Sequence, residues 1–182
     1  FSDNGIAIGG DGNVVGGCYV GTDVTGTVDL GNGNAGVLIG GGRDNRVGGT
    51  TTAARNVISG NPEGVTIVGE TATGNVVEGT YIGTDATGTV ALPNNVGVLV
   101  LGPGNTIGGT TPGARNVVSG NNVNGVDLGP PHANGNLVAG NYIGVDASGT
   151  LALGNGVGIF VNNVTGNTIG GTTPGARNVV SG

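Results

Sequence analysis

Three observations predict that this chain is an all-β solenoid. Glycine supplies 44 of its 182 residues, and Gly costs about 1 kcal/mol relative to Ala in a helix interior, so a helical bundle is excluded. The chain also repeats itself: GNTIGGTTPGARNVVSG at 104–120 recurs unchanged at 166–182, 62 positions later, with a poorer copy at 44–60. Finally, its apolar residues fall in short segments that alternate with period two, the pattern of strands with one face inward. Gly does not recur at every third position, which rules out collagen. At 36% hydrophobic residues the chain is too apolar for a disordered linker.

Each element of the repeat can be placed in order. A first segment, Gly-apolar-X-apolar, begins at Gly5, Gly36, Gly64, Gly97, Gly125 and Gly158, in steps of 28 to 33 residues. A second opens on Asn13, Asn45, Asn75, Asn105, Asn136 and Asn167. A third reads CYVG at 18, NVIS at 56, TYIG at 80, NVVS at 116, NYIG at 141 and NVVS at 178. One coil cannot bury its own apolar row, but stacked coils bury it against each other. Three strands per coil imply three parallel sheets around a narrow prism, a right-handed parallel β-helix of about six coils. Residues 1–182 form one such domain, and because the pattern runs into both ends the segment reads as a fragment of something longer. The even coils insert GGTTPGAR-type loops before the third strand, and the odd coils carry GTDATGT-type loops after it.

The repeated polar residues have structural readings. Stacked Asn side chains form amide ladders or hold left-handed corners. Val65 with Ile67, Asn75 with Val77, and Asn116 with Val118 should point inward, and Cys18 should be a small buried residue in a ladder slot. Arg55, Arg115 and Arg177 share one slot, where each would tie down its own loop through backbone carbonyls. Asp23, Asp85 and Asp146 share another, where each caps its own turn or, alternatively, contributes to a calcium site.

The formal charge is −6, with five arginines and no lysine, so a nucleic-acid partner is not expected. No run of 18 apolar residues is present, so no membrane span is expected either. No catalytic, metal or cofactor site is predicted. His132, five residues after Asp127, is read as loop variation. The candidate binding residues are Tyr19, Tyr81 and Tyr142, one per odd coil, which alternation turns outward. Spaced about 9–10 Å apart, they either form a stripe on which glycan rings stack or are covered by the odd-coil loops.

GNTIGGTTPGARNVVSGN, followed by GVxL and GNxVxGNYIGxDxxGT, resembles the repeat regions of large bacterial surface and secreted proteins that often carry a CSLREA-type domain. The resemblance covers essentially the whole chain. It implies a pectin-lyase-like β-helix and an extracellular or cell-surface setting, but not one activity. Lyases of that fold gather acidic calcium ligands and a basic residue outside one sheet. Here the outward first-strand positions are Ala7, Leu38, Thr66, Leu99, Asp127 and Phe160, with a single acid, so lyase activity is not expected. The expected role is a stalk, sheath or filament segment with coils or subunits stacked end to end, with a polysaccharide-binding or polysaccharide-cleaving module as the alternative.

Overall fold

The computed structural model describes residues 1–182 and contains eighteen strands in three six-stranded parallel sheets. The first sheet holds β1 (Ile6–Ile8), β4 (Ala35–Gly40), β7 (Glu63–Val68), β10 (Val96–Leu101), β13 (Asn124–Leu128) and β16 (Val157–Val161). The second holds β2 (Val14–Val15), β5 (Arg46–Gly48), β8 (Val76–Glu78), β11 (Thr106–Gly108), β14 (Leu137–Ala139) and β17 (Thr168–Ile169). The third holds β3 (Tyr19–Val20), β6 (Val57–Ile58), β9 (Tyr81–Ile82), β12 (Val117–Val118), β15 (Tyr142–Ile143) and β18 (Val179–Val180). Every strand pairs with the one three elements later, so each set of three is one coil of a three-sided parallel β-solenoid. Helical structure is limited to three 3-10 turns, Thr52–Ala54, Pro112–Ala114 and Pro174–Ala176, all in the even-coil loops.

Register follows the repeats. Val37, Val65, Val98, Val126 and Ile159 stack inward in the first sheet. Val47, Val77, Ile107 and Val138 do so in the second, and Ile58, Ile82, Val118 and Ile143 in the third. These rows merge into one continuous core of 21 buried residues, in which branched side chains of like shape repeat from coil to coil, as a stacked core requires. The inward pairs Val65 with Ile67, Asn75 with Val77, and Asn116 with Val118 are all fully buried.

Glycine is needed where the coils touch most closely. A Cβ on Gly48 would lie 1.8 Å from the carbonyl oxygen of Glu78 in the next coil, and its φ of +95° is left-handed as well. The backbone at this corner leaves no space for any side chain.

Buried asparagines satisfy the corners in three ladders. In the second-strand ladder, Asn45 donates from N and Nδ2 to Asn75 Oδ1 (2.9 and 3.0 Å), and Asn75 donates likewise to Asn105 Oδ1 (3.0 and 2.9 Å). The third-strand ladder is interrupted, as its sequence implies: Asn116 and Asn141 donate through N–H and side chain to the Asn of the next coil, whereas Thr80 donates its N–H to Asn116 Oδ1 and its hydroxyl to Glu78 O in its own coil. A further ladder, absent from the sequence reading, joins Asn32, Asn61, Asn94, Asn121 and Asn155 at the corner before the first strand. Cys18 departs from expectation. It is half-buried, just before β3, the edge strand of the third sheet.

Candidate binding face

Tyr19, Tyr81 and Tyr142 lie in one column of the third sheet, separated by Val57 and Val117. Their ring faces are not equally open. Tyr19 is 47% exposed, Tyr81 only 8%, and Tyr142 is half-buried. A continuous stripe of open rings is therefore not what the fold presents.

Two neighbours cover the inner rings. The Arg55 guanidinium lies over the Tyr81 ring, 4.3 Å from its centroid, and Arg115 lies over Tyr142 at 4.0 Å. Each arginine comes from the even coil just before its tyrosine, so the cation sits on the negative face of the aromatic ring. Each ring also meets the loop that follows its own strand. A Cβ on Gly88 would come within 2.8 Å of the Tyr81 ring, and one on Gly149 within 2.7 Å of Tyr142. The sequence reading, in which each arginine ties down its own loop through backbone carbonyls, is corrected: Arg55 and Arg115 instead stack on a tyrosine of the next coil. Arg115 Nε does donate to Gly140 O (3.2 Å), but that carbonyl belongs to the next coil; Arg55 Nε is buried without a partner.

Both sets of loops are packed into columns of their own. Each odd-coil loop closes on itself through an antiparallel bridge, Thr22 with Asp29, Thr84 with Ala91, and Val145 with Ala152. Ala86 N–H then donates to Gly26 O, and Ala147 N–H to Gly88 O, both at 2.9 Å, so successive odd loops touch. Within each loop the Asp caps the turn: Asp23 Oδ1 accepts from the N–H groups of Thr27 and Val28 (3.0 and 3.1 Å) and from Thr25 Oγ1 (2.9 Å). Asp85 and Asp146 repeat this pattern. Hydrogen bonds from Thr25 and from the Thr27 and Val28 amides hold Asp23 down at about 2, and those from Leu151 and Ser148 lower Asp146.

Around Tyr19 the column is open. A groove there is lined by Gly17, Tyr19, Thr52, Ala53, Arg55 and Ala86. It combines an aromatic face, a cation and a hydroxyl, the groups that stack on and hydrogen-bond a polar ring.

The outer face of the first sheet places Ala7, Leu38, Thr66, Leu99, Asp127 and Phe160 in one row. Asp127 accepts from Asn124 Nδ2 (2.7 Å), and burial among its neighbours raises its pKa. Glu63, which the sequence reading passed over, accepts from Thr66 on the same face. The one ion pair, Arg46 with Glu78, lies on the second sheet. No three His, Cys, Asp or Glu side chains converge, and no helix is long and apolar enough to cross a membrane.

No protein-family model, curated protein or solved structure matches this chain. The assignment to a parallel β-solenoid accordingly stands on the strand register and ladders described above.

Proposed function

We propose that this chain is a structural solenoid, a stalk, sheath or filament segment of a bacterial surface or secreted protein, with adhesion as a role its surface would serve. One observation carries this reading: the polar side chains recur as single groups in repeated slots and are used internally. Asparagines bond to asparagines, loop aspartates to their own turns, and arginines to the next tyrosine. A catalytic site needs several groups converging on one reacting atom, and repeated slots distribute them along the rod instead. An extracellular setting suits a rod held by backbone pairing and amide ladders, which do not depend on a thiol or a bound cofactor.

The groove beside Tyr19 favours a second reading, a carbohydrate-binding module. Its open ring, the neighbouring Arg55 and the hydroxyl of Thr52 suit an acidic sugar. A glycan array run beside lyase and hydrolase assays on pectin and alginate separates the two. The structural reading expects no turnover and no saturable glycan binding. Turnover lost on Asp127→Asn or His132→Ala would replace it with an enzyme, and binding lost on Tyr19→Ala would replace it with a carbohydrate-binding module.

A further inference from the structure

The coils are joined in two alternating ways, and three slots at the third strand set the difference. In the even coils these slots hold Arg, Val and Ser, as in Arg55, Val57 and Ser59 or Arg115, Val117 and Ser119. In the odd coils they hold Gly, Tyr and Gly, as in Gly79, Tyr81 and Gly83 or Gly140, Tyr142 and Gly144. An odd coil stacked after an even one therefore sets tyrosine against arginine and a bare glycine against serine. At the joint between the second and third coils, Arg55 covers Tyr81, and Ser59 Oγ donates to Thr84 O (2.7 Å) while accepting from Gly83 N–H (3.2 Å). At the joint between the fourth and fifth coils, Arg115 covers Tyr142, and Ser119 Oγ donates to Val145 O (2.7 Å) while accepting from Gly144 N–H (3.0 Å).

The second sheet alternates in step. Across those two joints it pairs three residues, the third pair being Gly48 with Glu78 and Gly108 with Ala139. Between the third and fourth coils it pairs only two, Val76 with Thr106 and Val77 with Ile107. That middle joint sets Gly79 and Val117 where the others hold arginine and tyrosine, so no stack forms. It also sets Gly83 against Ser119, and a Cβ on Gly83 would lie 2.4 Å from Ser119 O, so no side chain can bridge there. The third sheet pairs two residues at all three joints, and the pairing of the first does not follow the alternation. Contacts between loops of alternate coils, such as Ala147 N–H to Gly88 O, cross both kinds of joint alike. The two kinds therefore differ by one cation–ring stack, two hydroxyl hydrogen bonds and one strand pair.

We infer that the rod yields in pairs of coils: an even coil and the odd coil after it leave as one unit, and the rod opens at the joints where an even coil follows an odd one. In a solenoid each coil is held chiefly by its neighbours. Coils peeled away under tension therefore meet the two kinds of joint in turn. The stack and the serine bonds correspond to a rupture rate about 10- to 100-fold lower at equal tension. Once such a joint has broken, the next one gives way at the tension already reached, and both coils are released together. The result is an extensible device that lengthens by a fixed amount per event and keeps the remaining pairs intact. It goes beyond both readings above and depends on neither, since a structural rod and a carbohydrate-binding one would open at the same joints.

Optical tweezers holding the 182-residue chain by its two ends test this. The four inner coils should leave in two steps of 61 residues, the spacing from Gly36 to Gly97 and from Gly97 to Gly158, each releasing about 200 Å of extended chain. The first and sixth coils should leave singly and at lower tension. In the double variant Arg55→Ala/Ser59→Ala, the step of the second and third coils should split into two single-coil steps. The step of the fourth and fifth coils should stay whole, and its presence in the same molecule shows that the variant is folded. Arg55→Ala alone, which leaves the buried Ser59 in place, should lower the rupture tension of the first pair and not of the second. Single-coil steps throughout the wild type, or release of the whole chain at once, would overturn the proposal. So would a double variant that still releases its second and third coils together. None of these outcomes bears on the structural reading, which the glycan and activity assays decide.

Discussion

Residues 104–120 and 166–182 have the same sequence and the same local structure, a second-sheet strand, a 3-10 turn and a third-sheet strand. Their environments differ. Ile107 and Val118 are fully buried, while Ile169 and Val180 in the same slots are 44% and 52% exposed. Local sequence therefore fixes the strand and the direction of each side chain, and the coil stacked above fixes the burial. In this quasi-one-dimensional architecture stability is a sum over coils and their interfaces, so one substitution should have very different costs in the two copies.

Substituting aspartate for the matched valines tests this most severely. Val118→Asp leaves an unpaired charge between coils and should cost more than about 4 kcal/mol, enough to remove the cooperative unfolding transition in urea. Val180→Asp, with solvent beside it, should cost about 1 kcal/mol or less by the same measurement. Equal losses would mean that burial is not set by the neighbouring coil.

Asparagines sharpen the comparison. Asn75→Ala removes an acceptor for two donors of Asn45 and leaves the buried N–H of that residue without a partner, for a loss of roughly 3 kcal/mol. Asn13→Ala, at the exposed start of the same ladder, should shift the urea midpoint by an amount equivalent to about 0.5 kcal/mol.

Smaller still is the contrast between two left-handed glycines. A Cβ on Gly88 would meet the Tyr81 ring and Ala147, whereas one on Gly135 would meet nothing within 4 Å. Gly135→Ala should cost only the left-handed strain, about 1 kcal/mol, and Gly88→Ala about 2 kcal/mol on thermal unfolding, with the excess measuring loop-on-ring packing.

The smallest effect is the response of the loops to acid. The folded-state pKa of Asp23, about 2, lies below the usual carboxylate value near 3.9, so its cap stabilises the fold above that value and is lost as pH falls toward 2. Asp127 is shifted the other way by burial and should protonate first. An NMR titration following Asp127, Asp23 and the Thr27 amide should give that order; simultaneous protonation would show that the loop cap is not formed.

The repeats made the backbone legible in the sequence. Coil length, three strands per coil, the Asn ladder of the second strand and the loop aspartate caps all follow from slots that recur in one linear order. The arginine–tyrosine stacks were harder to find, because Arg55 and Tyr81 lie in different coils and meet only through register. Val57 pairs with Tyr81 and Arg55 stands two residues before Val57, so aligning the third strands coil by coil would have brought the pair together. The Asn32 ladder was missed for another reason. Its members precede the Gly of the first strand by three residues in some coils and four in others, and only their side-chain contacts identify them as one row. The openness of Tyr19 could not be read at all, since it reflects what lies above a coil and not what is written in it.

The alternation of joints has a consequence for how such a chain changes length. Because the stacked arginine and bridging serine occur only at every second joint, the interchangeable unit is a pair of coils. Excision of residues 105–166 would bring Gly104 against Asn167, the same neighbours that Gly104 and Asn105 make now, and leave four coils with every joint in its proper class. Loss of a single inner coil would set two even or two odd coils against each other, leaving an arginine without its ring when an odd coil goes and a ring without its arginine when an even one does. Recombination within the matched segments would therefore shorten or lengthen the rod in steps of 62 residues without a seam, a ruler whose divisions are coil pairs.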